Sequence, residues 1–459
     1  MSSPPPTPDV ASLLDRATEA LRAQADVTVH LVRWIVLGAI SGALAGLSSY
    51  VFLEGLDEVT EFRLSHDWLV WLLPAAGLVV GLVYRYLGGR AVHGNELLLD
   101  EIHEPTTWVP RRMAPLVLGG TWLTHLVGGS AGREGTALQM SGSLTDLFSR
   151  VVRLRPDDRR LLLISSLGGA FGAVFGVPLA GAVFALEVQT IGRIRYEALV
   201  PALTASLVGD LVVQGLGYDH EVRRQFDIPL DGVLLAKVAI AGVAFGLTAA
   251  AFSALAHAIK GLLARVLPWS PLRPFVGGVA LLALVLLCGH DYSGLSLPLV
   301  DRSLAGEHLS FVVFALKLLF TAITLGSGFP GGEVTPLFVI GGTLGAALGT
   351  PLHVDVALLA AVGFVAVFAG AANTPLACAI MGVELFGAGA TLPFAVGCVV
   401  AYIFSSHRGI YRTQRIDMAK GSWRIEERGS RVNKQRGQVV ARPSRAVKLR
   451  EHLSRFSPR

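Results

Sequence analysis

The stretch Gly132-Arg133-Glu134-Gly135-Thr136 lies among apolar residues, and Gly331-Gly332-Glu333-Val334-Thr335-Pro336 echoes it 199 positions later. Each copy sets a carboxylate beside glycines, which free the backbone to turn sharply. A carboxylate at membrane depth is costly unless it has a partner or a task. Two such breaks in one chain imply discontinuous helices whose ends meet around an ion, as in transporters built from internal repeats.

Composition supports the membrane setting. The chain is 52% hydrophobic and 16% charged, with a mean hydropathy of +0.56, outside the range of ordinary soluble domains. Apolar stretches cover 33–55, 68–89, 113–128, 160–188, 197–217, 232–264, 274–289, 310–325, 337–369 and 375–405. Several exceed one span, which predicts on the order of a dozen or more helical pieces, many of them short or tilted. Runs such as Gly42 to Gly46 and Gly77 to Gly81 read as close helix packing.

Residues 1–29 are polar and proline-rich, then amphipathic, without a signal-peptide pattern, and read as a cytoplasmic segment. From His407 the chain is strongly basic, so the tail 416–459 is expected on the cytoplasmic side against anionic headgroups. It lacks aromatic interleaving, and nucleic acid is not expected as a partner. Cys288, Cys378 and Cys398 have no ligand spacing and read as small core residues. Asp100-Glu101-Ile102-His103-Glu104 lacks metal-site spacing and reads as a solvated turn or an entrance vestibule. Arg153 to Arg160 reads as a polar cytoplasmic loop. Gly326 to Gly332 has no following Lys-Ser/Thr and is not a phosphate loop. No cofactor or metal is expected.

Pro178 to Glu187 is matched by Pro375 to Glu384 at an offset of 197, close to the 199 of the first pair. Two separate motifs thus agree on one repeat length. The expected organisation is a first transmembrane repeat at 30–217, a linker at 218–230 and a second repeat at 231–415. Helix N-termini present unpaired N–H groups and the positive end of the helix dipole, which bind anions without a fixed cation. A carboxylate beside such a site competes for those donors when ionised and withdraws when protonated, linking anion to proton. For Glu134 the plainer alternative is an ion pair with Arg133 or a favourable place at a helix start.

Gly132 to Thr136 resembles the GREGP motif of the CLC family of chloride channels and anion/proton exchangers. Gly328 to Pro336 is similar to that family's second anion-binding loop, Pro178 to Glu187 and Pro375 to Glu384 to its paired PLxGxxFxxE segments, and Gly409-Ile410-Tyr411 to its late pore-tyrosine helix. These matches run in order over residues 30–415. The resemblance implies an all-α polytopic membrane protein with two inverted repeats of broken and tilted helices, assembled as a homodimer in the cell membrane with one anion pathway per subunit. Thr136 replaces the usual proline, and Asn95 stands at the position of the central anion-coordinating serine. Glu333-Val334-Thr335 is also unusual, and this combination resembles the fluoride/proton antiporter branch. Val188 occupies the position of the internal proton glutamate of chloride exchangers, which argues against the ordinary exchanger route.

The same resemblance assigns roles. Glu134 would gate the anion and carry the proton. Glu333 is either a second proton-linked group or a structural carboxylate. Gly94, Asn95, Arg133, Gly135, Thr136, Gly332, Val334, Thr335 and Tyr411 would line the anion site, Asn95 with an amide donor and Tyr411 with a phenolic one. The implied activity is fluoride export against proton entry. The alternative is a chloride channel or chloride/proton exchanger of the same family. An intramembrane enzyme using Glu134 and Glu333 is disfavoured, because no nucleophile motif accompanies them.

Overall fold

The structure is a computed structural model that describes residues 10–220, 224–229, 231–407, 409–420, 423–425, 430–432 and 439–441. Most of the expected basic tail lies outside these residues, as do residues 1–9. Eight helices precede the linker: α1 (Val10–Leu64), α2 (Leu73–Val83), α3 (Gly94–His103), α4 (Met113–Leu126), α5 (Glu134–Val151), α6 (Pro156–Phe175), α7 (Pro178–Glu187) and α8 (Leu199–Gly215). Eight follow it: α9 (Gly232–Val266), α10 (Leu272–Cys288), α11 (Leu297–Leu304), α12 (Phe311–Ser327), α13 (Val334–Leu352), α14 (Val356–Ala372), α15 (Pro375–Phe386) and α16 (Thr391–Phe404). Five helical stretches are long and apolar enough to cross a membrane by length and composition, and several others are shorter apolar helices.

The long apolar stretches break where the backbone has a reason to stop. Gly176, at φ 67°, ends α6 just before Pro178 opens α7. His353 takes the left-handed conformation between α13 and α14, and Gly387 at φ 88° closes α15. One boundary differs from the sequence reading. Residues 10–29 are not a separate segment but the opening turns of α1, because good helix formers run on without Gly or Pro as far as Gly38. That helix of 55 residues measures about 80 Å at the standard rise. It therefore extends well beyond the apolar core of a bilayer.

Small residues bring backbones together as the spacing implied. Gly38, Gly42 and Gly46 of α1 lie against Pro201, Ala205 and Gly209 of α8, where a methyl on Gly42 would come within 2.5 Å of the Ala205 carbonyl oxygen. At the centre, stacked Phe338 and Phe364 (4.1 Å) join stacked Phe171 and Phe184 (4.3 Å) through Phe368, tying α6 and α7 to α13 and α14.

The glutamates that close the repeated PLxGxxFxxE segments tie the halves reciprocally. Glu187 accepts the N–H groups of Leu376 and Ala377 at the start of α15, at 3.2 and 2.9 Å. Glu384 accepts those of Leu179 and Ala180 at the start of α7, at 2.9 and 2.7 Å. Each carboxylate satisfies helix donors that apolar surroundings would otherwise leave unpaired. This exchange of equivalent contacts relates the two PLxGxxFxxE segments by a local pseudo-two-fold axis.

Two polar clusters read differently in three dimensions. Glu101 is buried, not solvated, and binds Arg90 at 2.7 Å and the backbone of Thr106 and Thr107. Arg159 lies in the first turn of α6, where it pairs with Asp146 at 2.5 Å, so it is not part of a solvated loop. Facing carboxylates from α3 and α5 pull it inward. The chain after α16 returns to the membrane domain as a strap. Strand β2 (Arg415–Ile416) pairs with β1 (Thr190–Ile191) and with β3 (Ser430–Arg431), so the expected boundary at residue 415 falls inside an element. Arg415 also binds Glu104 at 2.6 Å and holds that carboxyl below its usual range. Cys378 and Cys398 are buried, and all three cysteines are free.

Removing one reciprocal cap by Glu384→Ala should cost about 1–3 kcal/mol, read as a lower thermal unfolding midpoint in detergent. An unchanged midpoint would show that the cap contributes nothing.

Candidate functional site

The two glycine-flanked motifs meet. Gly132 and Gly332 exchange backbone hydrogen bonds, each N–H donating to the other's carbonyl at 2.7 Å. This clasp sets the N-termini of α5 and α13 side by side. The glycines are required by contact, since a methyl on Gly332 would come within 2.9 Å of the Glu134 nitrogen and carboxylate, and one on Gly331 would strike Ala131. Glu134 opens α5 and is 1% exposed. Its carboxylate crosses the clasp to accept the backbone N–H of Thr335 at 3.1 Å and the Thr335 hydroxyl. Arg133 Nε lies 4.0 Å away.

A cavity approaches the clasp from each side. One, of about 390 Å³, is lined by Arg133, Phe175, Tyr218, Thr335 and Phe338. The other, of about 510 Å³, is lined by Gly94, Asn95, Gly331, Glu333, Ile410 and Tyr411, together with Arg85, Lys260 and Arg273. Glu134 lines neither and stands between them. We label the second, lined by three cations, the inner cavity and the first the outer cavity.

The remaining predicted residues fall in three groups. Gly94 and Asn95 form the first turn of α3, a third helix N-terminus aimed at the clasp. The Asn95 amide nitrogen approaches Gly135 so closely that a Cβ there would lie 3.2 Å from it, and the Asn95 amide oxygen has no protein partner. Tyr411 is 4% exposed and lines the inner cavity together with Glu333. Its backbone neighbour Ile410 is fixed by donating to the Ala371 carbonyl at 2.9 Å. Glu333 caps α13 with its side chain turned to the inner cavity, and Val334 begins the helix. Two residues face elsewhere. The Thr136 hydroxyl is paired with Thr121 of α4 at 2.7 Å, which leaves only its backbone near the site. The Arg133 guanidinium sits over the Phe175 ring at 5.7 Å, in the outer cavity.

Sequence reading passed over Lys317. It is fully buried on α12 and donates to Ser130 Oγ, Ser296 Oγ and the Gly294 carbonyl at 2.8–2.9 Å, bracing the strand that leads to Gly132. A lysine inside the 310–325 apolar stretch was the available signal. Lys260 and Gln139, which line the inner cavity, were also missed.

With this geometry in hand, comparison with known proteins is direct. The family model described as voltage gated chloride channel matches residues 76–406. The chain belongs to the voltage-gated chloride channel family. A relative in that family, the chloride/fluoride channel protein of Pseudomonas syringae pathovar tomato, is 44% identical over 406 residues, covering 86% of this chain and 89% of the relative. The H(+)/Cl(-) exchange transporter ClcA of Yersinia pestis is 27% identical over 413 residues, covering 82% of this chain and 85% of that protein. Among solved structures, a CLC-type fluoride/proton antiporter superposes with a TM-score of 0.82 at 33% identity, covering 84% of this chain and 98% of the other. The fold is thus that of the CLC transporters.

The clasp gives a direct test. Gly332→Ala should reduce anion flux in liposomes by about tenfold or more, because overpacked atoms at a contact this close must move. Gly119→Ala, on α4 with nothing within 4 Å of the added methyl, should leave flux unchanged. Wild-type flux in the Gly332 variant would show that the two helix ends need not touch.

Proposed function

We propose that this protein expels fluoride across the cell membrane in exchange for protons, with Glu134 as the shared gate. One observation carries the reading. The Glu134 carboxylate occupies the N-terminal donors of α13, where an anion passing between the two cavities would bind. Ionised, it blocks the path. Protonated, it loses its hold on those donors and yields them to the anion. Thr335 supplies both a backbone and a hydroxyl donor at that point, Asn95 an amide, and Tyr411 a phenol. A small, strongly hydrated anion needs such a dense set of donors to replace its water. The GREGT and GGEVTP motifs and the 33% identical fluoride/proton antiporter structure favour fluoride over chloride. Glu333 is the second proton-linked group, since its side chain opens onto the inner cavity and not onto a structural partner.

The protein works as a transporter and not as an enzyme. It functions as a homodimer in the bilayer, with repeats at 30–217 and 231–415 and both termini cytoplasmic. The inward proton gradient drives fluoride out, and chloride is the competing substrate.

Purified protein in liposomes, with fluoride, chloride and internal pH recorded together, tests this. Wild type should move fluoride in preference to chloride and carry protons the opposite way, and Glu134→Gln should lose the proton movement. Comparable chloride flux would make the protein a chloride exchanger or channel, and fluoride flux without protons would make it a passive channel.

A further inference from the structure

The inner cavity holds more acid than an anion route calls for. Arg85, Lys260 and Arg273 line it and draw anions inward. Yet Glu333 and Glu96 face the same space. Glu96 lies in the first turn of α3, directly after Asn95, while Glu333 caps α13. Lys260 lines the same cavity as both. The Glu96 carbonyl accepts the Thr413 hydroxyl at 3.1 Å, so the strap that delivers Tyr411 also fixes this turn.

A carboxylate at a helix start is favourable by itself. That does not account for a second one facing it across an anion route, where like charges repel each other and the anion. The usual inner acid is also missing. Val188 stands at its position, and the buried Gln414 closes that region by donating to the Val188 carbonyl at 2.7 Å. A proton arriving at Glu333 therefore needs another carrier toward the cytoplasm.

We propose that Glu96 is the inner proton-transfer group, passing protons between Glu333 and cytoplasmic water. This rests on the fluoride/proton exchange reading above. Neutral Glu333 gives its proton to the Glu96 carboxylate, directly or through water in the cavity, and becomes the carboxylate that accepts the next proton arriving from Glu134. Glu96 then releases its proton to bulk water. His93 and Tyr84 also line the cavity, but among the described residues Glu96 is the one carboxylate that lines it beside Glu333.

The test compares wild type, Glu96→Gln and Glu96→Asp in liposomes under a fluoride gradient, with fluoride and internal pH recorded together and folding checked by size-exclusion elution. The glutamine keeps the size of the side chain, and the Thr413 contact is to backbone. Proton movement per fluoride should fall about tenfold or more in Glu96→Gln and return in Glu96→Asp. Wild-type coupling in a folded Glu96→Gln variant overturns the role of Glu96 while leaving the exchange reading intact. A folded glutamine variant that loses both fluxes without recovery in the aspartate variant overturns it as well. Absence of proton movement in wild type defeats the exchange reading itself, and Glu96 with it.

Discussion

Two helix N-termini held side by side would repel each other through the positive ends of their dipoles. The paired hydrogen bonds between Gly132 and Gly332 impose that arrangement, and the Glu134 carboxylate relieves it by crossing from α5 to the donors of α13. The rest of the membrane domain can be understood as support for this one unfavourable juxtaposition. Lys317 braces the incoming strand through Ser130, the aromatic seam joins α6 and α7 to α13 and α14, and the reciprocal Glu187 and Glu384 caps fix α7 against α15. Each contact crosses between the two halves of the chain. An anion site of this kind cannot form from either half alone.

The same device would let the proposed anion site bind an ion and let it go. Arg133, the cation beside the junction of the cavities, keeps its Nε 4.0 Å from the Glu134 carboxylate and its guanidinium over Phe175. The charges that draw anions in are set back in the two vestibules, as Arg133 on one side and Arg85, Lys260 and Arg273 on the other. Oriented N–H and O–H groups then take over where water is excluded. A neutral donor set of this sort releases its ion readily, and in the proposed cycle the return of Glu134 to its ionised form gives the release a chemical trigger.

Much of this was legible before any coordinates. The repeat offsets near 200 residues, the glycines around Glu134 and Glu333 and the break points in long apolar stretches all come from local chemistry that the sequence displays directly. What escaped depended on partners far along the chain. Thr136 reads from the sequence as part of the anion site, and only the packing of α4 gives its hydroxyl to Thr121. Arg159 looked like part of a solvated basic run until α3 and α5 brought Glu101 and Asp146 beside it. The continuous α1 contradicts an N-terminal boundary drawn from a change in polarity, because helix propensity persists across that change. Lys317 could be noticed as a charge in an apolar stretch, but one of its oxygen acceptors, Ser130, lies 187 residues away in the chain.

The central claim is that proton and anion compete through one carboxylate for one set of donors. Fluoride binding to the purified protein, measured calorimetrically at several pH values around neutrality, tests it most directly. Competition predicts that affinity weakens by up to about tenfold per pH unit as the carboxylate loses its proton, with about one proton taken up per fluoride bound. The Glu134→Gln variant should lose that dependence. A fluoride affinity that is independent of pH in the wild-type protein would contradict the account.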